Sequence, residues 1–155
     1  MLKRIACISL LMILGSPLLG FGQDAKGIDG NFENLSGQYA ECAAYYRLIY
    51  HAMNSSHEKE TANTYHKLED TAMIYSRLLA NEGRKRDVAV EVTNARIEMY
   101  LKKMKQEAGN RNENISILIK KYHYGCQEAM ESPPSDVTRI SQTKVEEITE
   151  QKERK

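Results

Sequence analysis

Apolar residues recur at alternating spacings of three and four along four stretches of the chain. The clearest of these faces consists of Thr61, Tyr65, Leu68, Ala72, Tyr75 and Leu79. This spacing places the six residues on one side of an α-helix. No stretch shows the period of two that is typical of a half-buried strand. The sequence therefore predicts an all-α fold.

The predicted helices span residues 35–54, 57–81, 88–108 and 113–131. Ser55 and Glu58 have the spacing of a capping box, which predicts the start of the second helix. Pro133 and Pro134 end the fourth helix. Because short loops join the helices, we expect an antiparallel, up-down-up-down four-helix bundle over residues 35–131.

The first 22 residues resemble a secretory signal peptide. Lys3 and Arg4 precede an apolar run over residues 5–14, and small residues, Gly20 and Gly22, precede Gln23. The alternative is an uncleaved anchor, but the run is shorter than the ~20 residues that span a bilayer. We expect cleavage between Gly22 and Gln23, and a periplasmic or secreted product without a membrane span.

Removal of residues 1–22 takes Cys7 away and leaves Cys42 and Cys126. An even number of cysteines in an exported protein favours a disulfide. Both residues lie on the apolar faces of their helices, near the ends that an antiparallel bundle brings together. The sequence therefore predicts a Cys42–Cys126 bond between the first and last helices; two unpaired buried thiols are the alternative.

Two polar segments flank the predicted bundle. Residues 23–34 read as a flexible lead. Residues 132–155 contain five acidic and five basic side chains. The aliphatic residues of this tail are Val137, Ile140, Val145 and Ile148. Because this is too little apolar surface for independent folding, we expect a mobile, disordered or marginally helical tail.

Several kinds of chemistry lack their motifs in this chain. No Glu-x-x-His pair provides a di-iron site, and neither Cys-x-x-Cys-His nor Gly-x-Ser-x-Gly occurs. His51, Met53 and His57 could together bind a soft metal, although dispersed surface histidines are the simpler interpretation. A formal charge of +1 does not suggest nucleic-acid binding. We expect neither an enzyme nor a cofactor or metal protein.

Tyrosine is abundant, with nine residues against two Phe and no Trp. Tyr45, Tyr100 and Tyr124 fall outside the main apolar faces, and exposed tyrosines are enriched in protein interfaces. A short basic loop, Arg84-Lys85-Arg86, could contact an acidic partner. These six residues form the predicted partner surface; tyrosines that fill the core and a solvated turn are the alternative.

Three segments carry a resemblance to known sequences: Tyr39-Ala40-Glu41-Cys42-Ala43-Ala44-Tyr45-Tyr46, Asn114-Ile115-Ser116-Ile117-Leu118-Ile119 and Tyr122-His123-Tyr124-Gly125-Cys126. They resemble a group of small, uncharacterised secreted helical proteins of Gram-negative bacteria. The resemblance covers roughly residues 35–133. It implies a periplasmic or secreted location and assigns no activity.

These observations favour a non-enzymatic periplasmic protein that acts through contact with an envelope or secreted protein. An envelope accessory factor, an inhibitor and an immunity-type protein all fit this description, as monomer or homodimer. The alternative is a carrier that binds a small ligand or a metal between its helices.

Overall fold

The computed structural model describes residues 29–82 and 84–153, and this part of the chain contains five α-helices and no strand. They are α1 (Asp29–Ser55), α2 (Lys59–Asn81), α3 (Arg86–Glu107), α4 (Ile115–Glu131) and α5 (Ser135–Glu153). A single 3-10 turn, Asn112–Asn114, precedes α4. The all-α prediction is confirmed.

Helix α1 begins at Asp29, six residues before the predicted start, so part of the predicted lead is helical. Phe32 is buried in this added segment, which gives it a packing role. The capping-box prediction is wrong. Ser55 is the last residue of α1 and its hydroxyl donates to the carbonyl of His51, while Glu58 precedes α2 without a side-chain cap bond.

Helices α1 and α2 pack closely because small residues line their interface. The Ser36 hydroxyl donates to the carbonyl of Ser76 (3.0 Å), and the Ser76 hydroxyl donates to the carbonyl of Ser36 (2.9 Å). Both serines are fully buried, so these bonds satisfy groups that water cannot reach. Further along, Arg47 pairs with Glu69 at 2.6 Å. The N-terminal part of α1 therefore contacts the C-terminal part of α2, so the two helices run antiparallel.

The contacts between α1 and α4 show that these two helices also run in opposite directions. The Tyr39 hydroxyl donates to the carbonyl of Ala129, and the Tyr45 hydroxyl bonds His123 Nδ1. The disulfide Cys42–Cys126 lies between these two contacts and confirms the predicted pairing. It closes a loop with a sequence separation of 84 residues.

Helix α3 meets α1 in the same chain direction. Glu33 near the start of α1 pairs with Arg96, and Glu41 pairs with Lys103 at 3.2 Å. Buried residues at the spacing predicted for α3 point into the core: Thr93, Ile97, Leu101 and Met104. Two other apolar residues of α3, Val88 and Met99, are exposed.

The tail forms α5 over most of its length. Val137 and Ile140 are buried and belong to the same core as α1. Farther along α5, Ser141 and Gln142 line a gap of about 610 Å³ against α2. The helix is thus packed against the core near its start, at Val137 and Ile140. The mobility of the tail stays a prediction.

Candidate functional site

The centre of α1 carries a cluster of tyrosine rings that contact α2 and α4. The ring of Tyr45 lies 5.2 Å from that of Tyr46 and 6.2 Å from that of Tyr122, between centroids. Tyr46 in turn lies 6.1 Å from Tyr65 of α2. These separations are typical of aromatic pairs that pack with favourable geometry. The cluster joins three helices around consecutive positions of α1.

Burial keeps these hydroxyls protonated. Removal from water raises the pKa of Tyr46 to about 12, with smaller contributions from the nearby Tyr65 and Glu131. Burial likewise raises the pKa of Tyr45, with help from Tyr65 and Tyr46. At neutral pH both side chains are therefore neutral hydrogen-bonding groups rather than nucleophiles or bases.

A groove lies between α2 and α4, and Tyr46 of α1 is in its floor. We call it the α2–α4 groove; its volume is about 460 Å³. Residues from three helices line it: Tyr46, Glu60, Thr61, Thr64, Tyr65, Leu68, His123, Gln127, Met130 and Glu131. The size lies within the range of about 300–1,000 Å³ that is common for small-ligand sites.

The carboxylates that line the α2–α4 groove give it negative charge on both walls. Glu60 stands on the α2 wall and Glu131 on the α4 wall, where Glu131 accepts a hydrogen bond from Gln127 at 2.8 Å. None of the lining residues that the structure describes is Lys or Arg. The carboxylates of Glu60 and Glu131 provide an opposite charge for a cation, and the half-buried ring of Tyr65 provides an aromatic surface beside them. The groove therefore suits an ammonium or guanidinium group.

The six residues of the predicted partner surface differ in exposure. Tyr45 has no exposed area, so the expectation that it lies at the surface is wrong. The cause is its position in α1, which has neighbours on several sides. Arg84 pairs with Glu33 and is thus engaged within the molecule, whereas Lys85 and Arg86 are exposed.

The two other predicted tyrosines differ from each other. Tyr124 is 77% exposed on α4. Tyr100 is half-buried on α3, with the Lys103 ammonium 5.7 Å from its ring centroid. Gly22 and Gln23, the predicted cleavage site, lie outside the described residues.

The sequence prediction missed the α2–α4 groove. Tyr65 and Leu68 are assigned to a core face by their spacing, but both are half-buried and line the groove. Thr61 of the same face is exposed. Each half of this face contains one Tyr and one Leu, so the available signal is a single position: Thr61 begins the first half, whereas the buried Ala72 begins the second.

In the described part of the chain, no three His, Cys, Asp or Glu side chains come close enough together to hold a metal ion. No helix there is long and apolar enough to cross a membrane.

Comparison of the chain with protein-family models, curated proteins and solved structures finds no match. The geometry and chemistry of the side chains are therefore the basis for assigning a role.

Proposed function

We propose that this is a non-enzymatic periplasmic protein that acts through protein–protein contact, as an envelope accessory factor, an inhibitor or an immunity-type protein. The observation that carries the proposal is the α2–α4 groove, which has acidic walls, a tyrosine floor and no basic lining residue. Tyr and Arg are the residue types that contribute most to protein interfaces. A groove of tyrosines and carboxylates is suited to an arginine or lysine of a partner.

The partner we propose is an envelope or secreted protein with an exposed basic side chain. Its aliphatic stem would pack on Leu68 and Met130, and its charged end would meet Glu60 and Glu131. Oppositely charged surfaces also accelerate encounter and discriminate against acidic partners. Tyr124, exposed on α4, can extend the contact beyond the groove.

We further propose an antiparallel, up-down-up-down arrangement of α1 to α4, stapled by the disulfide, with α5 as a mobile tail. The opposed contacts of α1 with α2 and with α4, and the same-direction contacts of α1 with α3, support it. The gap between α2 and α5 supports a loosely held tail. The mature protein would begin at Gln23 in the periplasm or outside the cell, as monomer or homodimer.

A photoreactive residue in the α2–α4 groove tests the contact. Thr64 is exposed on the α2 wall, and Glu91, exposed on α3, serves as the control position. With the full chain expressed in its own host, we expect illumination to attach a second protein at position 64 and not at 91. The intact mass of the purified product also locates the N-terminus.

Charge-reversal variants of the groove then test whether the crosslink depends on its two carboxylates or only on a protein being nearby. Glu60→Lys combined with Glu131→Lys should reduce the crosslinked product about tenfold or more, because two attractions become repulsions. Glu60→Gln with Glu131→Gln should give an intermediate loss. A crosslink of undiminished yield in the reversed variant contradicts the proposed partner chemistry, and the absence of any protein adduct contradicts the contact.

The second candidate function is a small-ligand carrier, favoured by the volume of the same groove. Native mass spectrometry of the protein taken from its host envelope discriminates the two. A small extra mass that is lost on denaturation supports the carrier, and a second chain supports the contact.

A further inference from the structure

A second cavity lies where α1 and α3 end and α4 begins. Its volume is about 310 Å³. Four aliphatic side chains from these elements form its floor: Leu48, Ala108, Ile115 and Leu118. Ala108 and Leu118 are buried, so the floor is continuous with the core. We call this cavity the end pocket.

The rim of the end pocket is cationic. Lys105 of α3 and Arg111 of the α3–α4 loop supply its positive charges, His51 of α1 also lines it, and no Asp or Glu of the described chain does. Neither Lys105 nor Arg111 forms an ion pair with a described residue. The nearby Glu107 is engaged elsewhere, since it accepts from Lys121 and from the Tyr122 hydroxyl.

Two backbone carbonyls at the rim accept hydrogen bonds from the α3–α4 loop. The Lys105 carbonyl accepts from the Asn110 amide at 2.8 Å. The Ala108 carbonyl accepts from the Arg111 amide at 3.2 Å and from the side-chain amide of Asn114 at 3.0 Å. Asn110 adopts a positive φ of 56°, which folds the loop back onto these carbonyls. Lys105 and Arg111 thus stand at the rim without an ion-pair partner among the described residues.

The N-terminal end of α4 adds partial positive charge to the end pocket. Ile115 is the first residue of α4 and lines the end pocket. The N-terminal end of a helix carries partial positive charge, which favours an anion beside it. This contribution is secondary to that of the charged Lys105 and Arg111 side chains.

We propose that the end pocket binds a small amphipathic anion, an alkyl or aryl carboxylate, with its carboxylate between Lys105 and Arg111 and its apolar body on the aliphatic floor. An inorganic anion would leave the floor unfilled, and a neutral apolar molecule would leave both cations without a partner. This site is separate from the α2–α4 groove and does not depend on the protein contact proposed above.

Titration of the mature, disulfide-bonded protein with octanoate and with 2-naphthoate tests the proposal by calorimetry and methyl NMR. We expect saturable binding of at least one carboxylate, with shifts at Leu48, Ile115 and Leu118. We expect binding at least about fivefold weaker for octanol and octylamine, which keep the chain and change the head group. Shifts confined to Leu68 and Met130 would place binding in the α2–α4 groove and overturn the assignment.

Four glutamine variants, three single and one double, provide the decisive comparison. Lys105→Gln and Arg111→Gln should each weaken binding about two- to fivefold, and together about tenfold, as expected for exposed charge pairs. Lys102→Gln is the matched control, because it removes one charge from an exposed site on the same helix outside the end pocket. Binding of octanol as tightly as octanoate, an equal loss in Lys102→Gln, or no binding of either carboxylate refutes the end pocket as an anion site. None of these outcomes changes the crosslinking result at position 64.

Discussion

The tyrosines of α1 show how the same side chain serves different purposes at neighbouring positions. Tyr39 packs edge-on against Tyr75, with ring centroids 5.2 Å apart, and its hydroxyl reaches a carbonyl of α4. Tyr45 is fully buried, and its hydroxyl forms a hydrogen bond with the His123 ring. Tyr46 is almost as buried, yet its side chain lines the α2–α4 groove. Phenylalanine could fill these volumes, but it could not supply the hydroxyl that Tyr39 donates.

Alkaline pH should unfold the protein through these residues. Burial raises the pKa of Tyr39 and of Tyr46 from 10.0 to about 12. Above pH 10 the unfolded chain therefore loses protons that the folded chain retains. This favours unfolding, so stability is complete below pH 10 and falls as pH rises towards 12. We expect a loss of about 1–3 kcal/mol per buried tyrosine, measured as the free energy of unfolding in denaturant at increasing pH.

Tyr46→Phe should flatten this decline, because phenylalanine has no proton to lose. Tyr124→Phe is the control, since it removes an exposed tyrosine, and it should keep the steepness of the wild type. Equal pH dependence in the wild type and in Tyr46→Phe would contradict a role for the buried hydroxyl.

At the scale of the helices, α5 is the element whose attachment is most open to test. Val137 and Ile140 anchor its beginning in the core, while a gap lies between α2 and its middle. An isolated helix of 19 residues with few apolar side chains is marginal in water. Packing of Val137 and Ile140, both in the first two turns, should therefore contribute to the free energy that holds α5 as a helix.

Ile140→Asp should release α5 without unfolding the other helices. Ile140 is 3% exposed, and a carboxylate there would lose its hydration on docking. We expect amide hydrogens of α5 to exchange as in a free peptide, while those of α1 to α4 keep their protection. Thr143→Asp, at an exposed position of α5, should leave exchange unchanged. Loss of protection throughout the molecule would show instead that α5 is an integral part of the core.

Periodicity predicted the type of the elements well and their burial less well. It identified α3 and α4 because each has one buried face, as Ile97 and Leu118 illustrate. It misjudged Tyr45 because all residues from Cys42 to Tyr46 are buried, and a helix enclosed on several sides has no distinctive period. The groove and the end pocket were not predictable, since both depend on residues from three elements meeting at one height.

At the scale of the molecule, one covalent bond connects helices that begin and end the predicted bundle. The Cys42–Cys126 bond restricts the unfolded chain because it closes a loop with a separation of 84 residues. Chain-entropy reasoning gives about 4.5 kcal/mol for such a loop, and about 2–4 kcal/mol is typical. In an oxidising compartment this contribution would be permanent.

Loss of the bond should therefore lower stability without changing the fold. We expect Cys42→Ser with Cys126→Ser to retain its helical circular dichroism and to unfold with about 2–4 kcal/mol less free energy in denaturant. Wild-type protein reduced in denaturant is the control, because it loses the bond and keeps both sulfur atoms. Both cysteines are buried, so trapping of new thiols under native conditions should be slow and should follow the rate of opening. Rapid native-state reduction, or an unchanged unfolding midpoint after reduction, would contradict the role of the bond as a staple between α1 and α4.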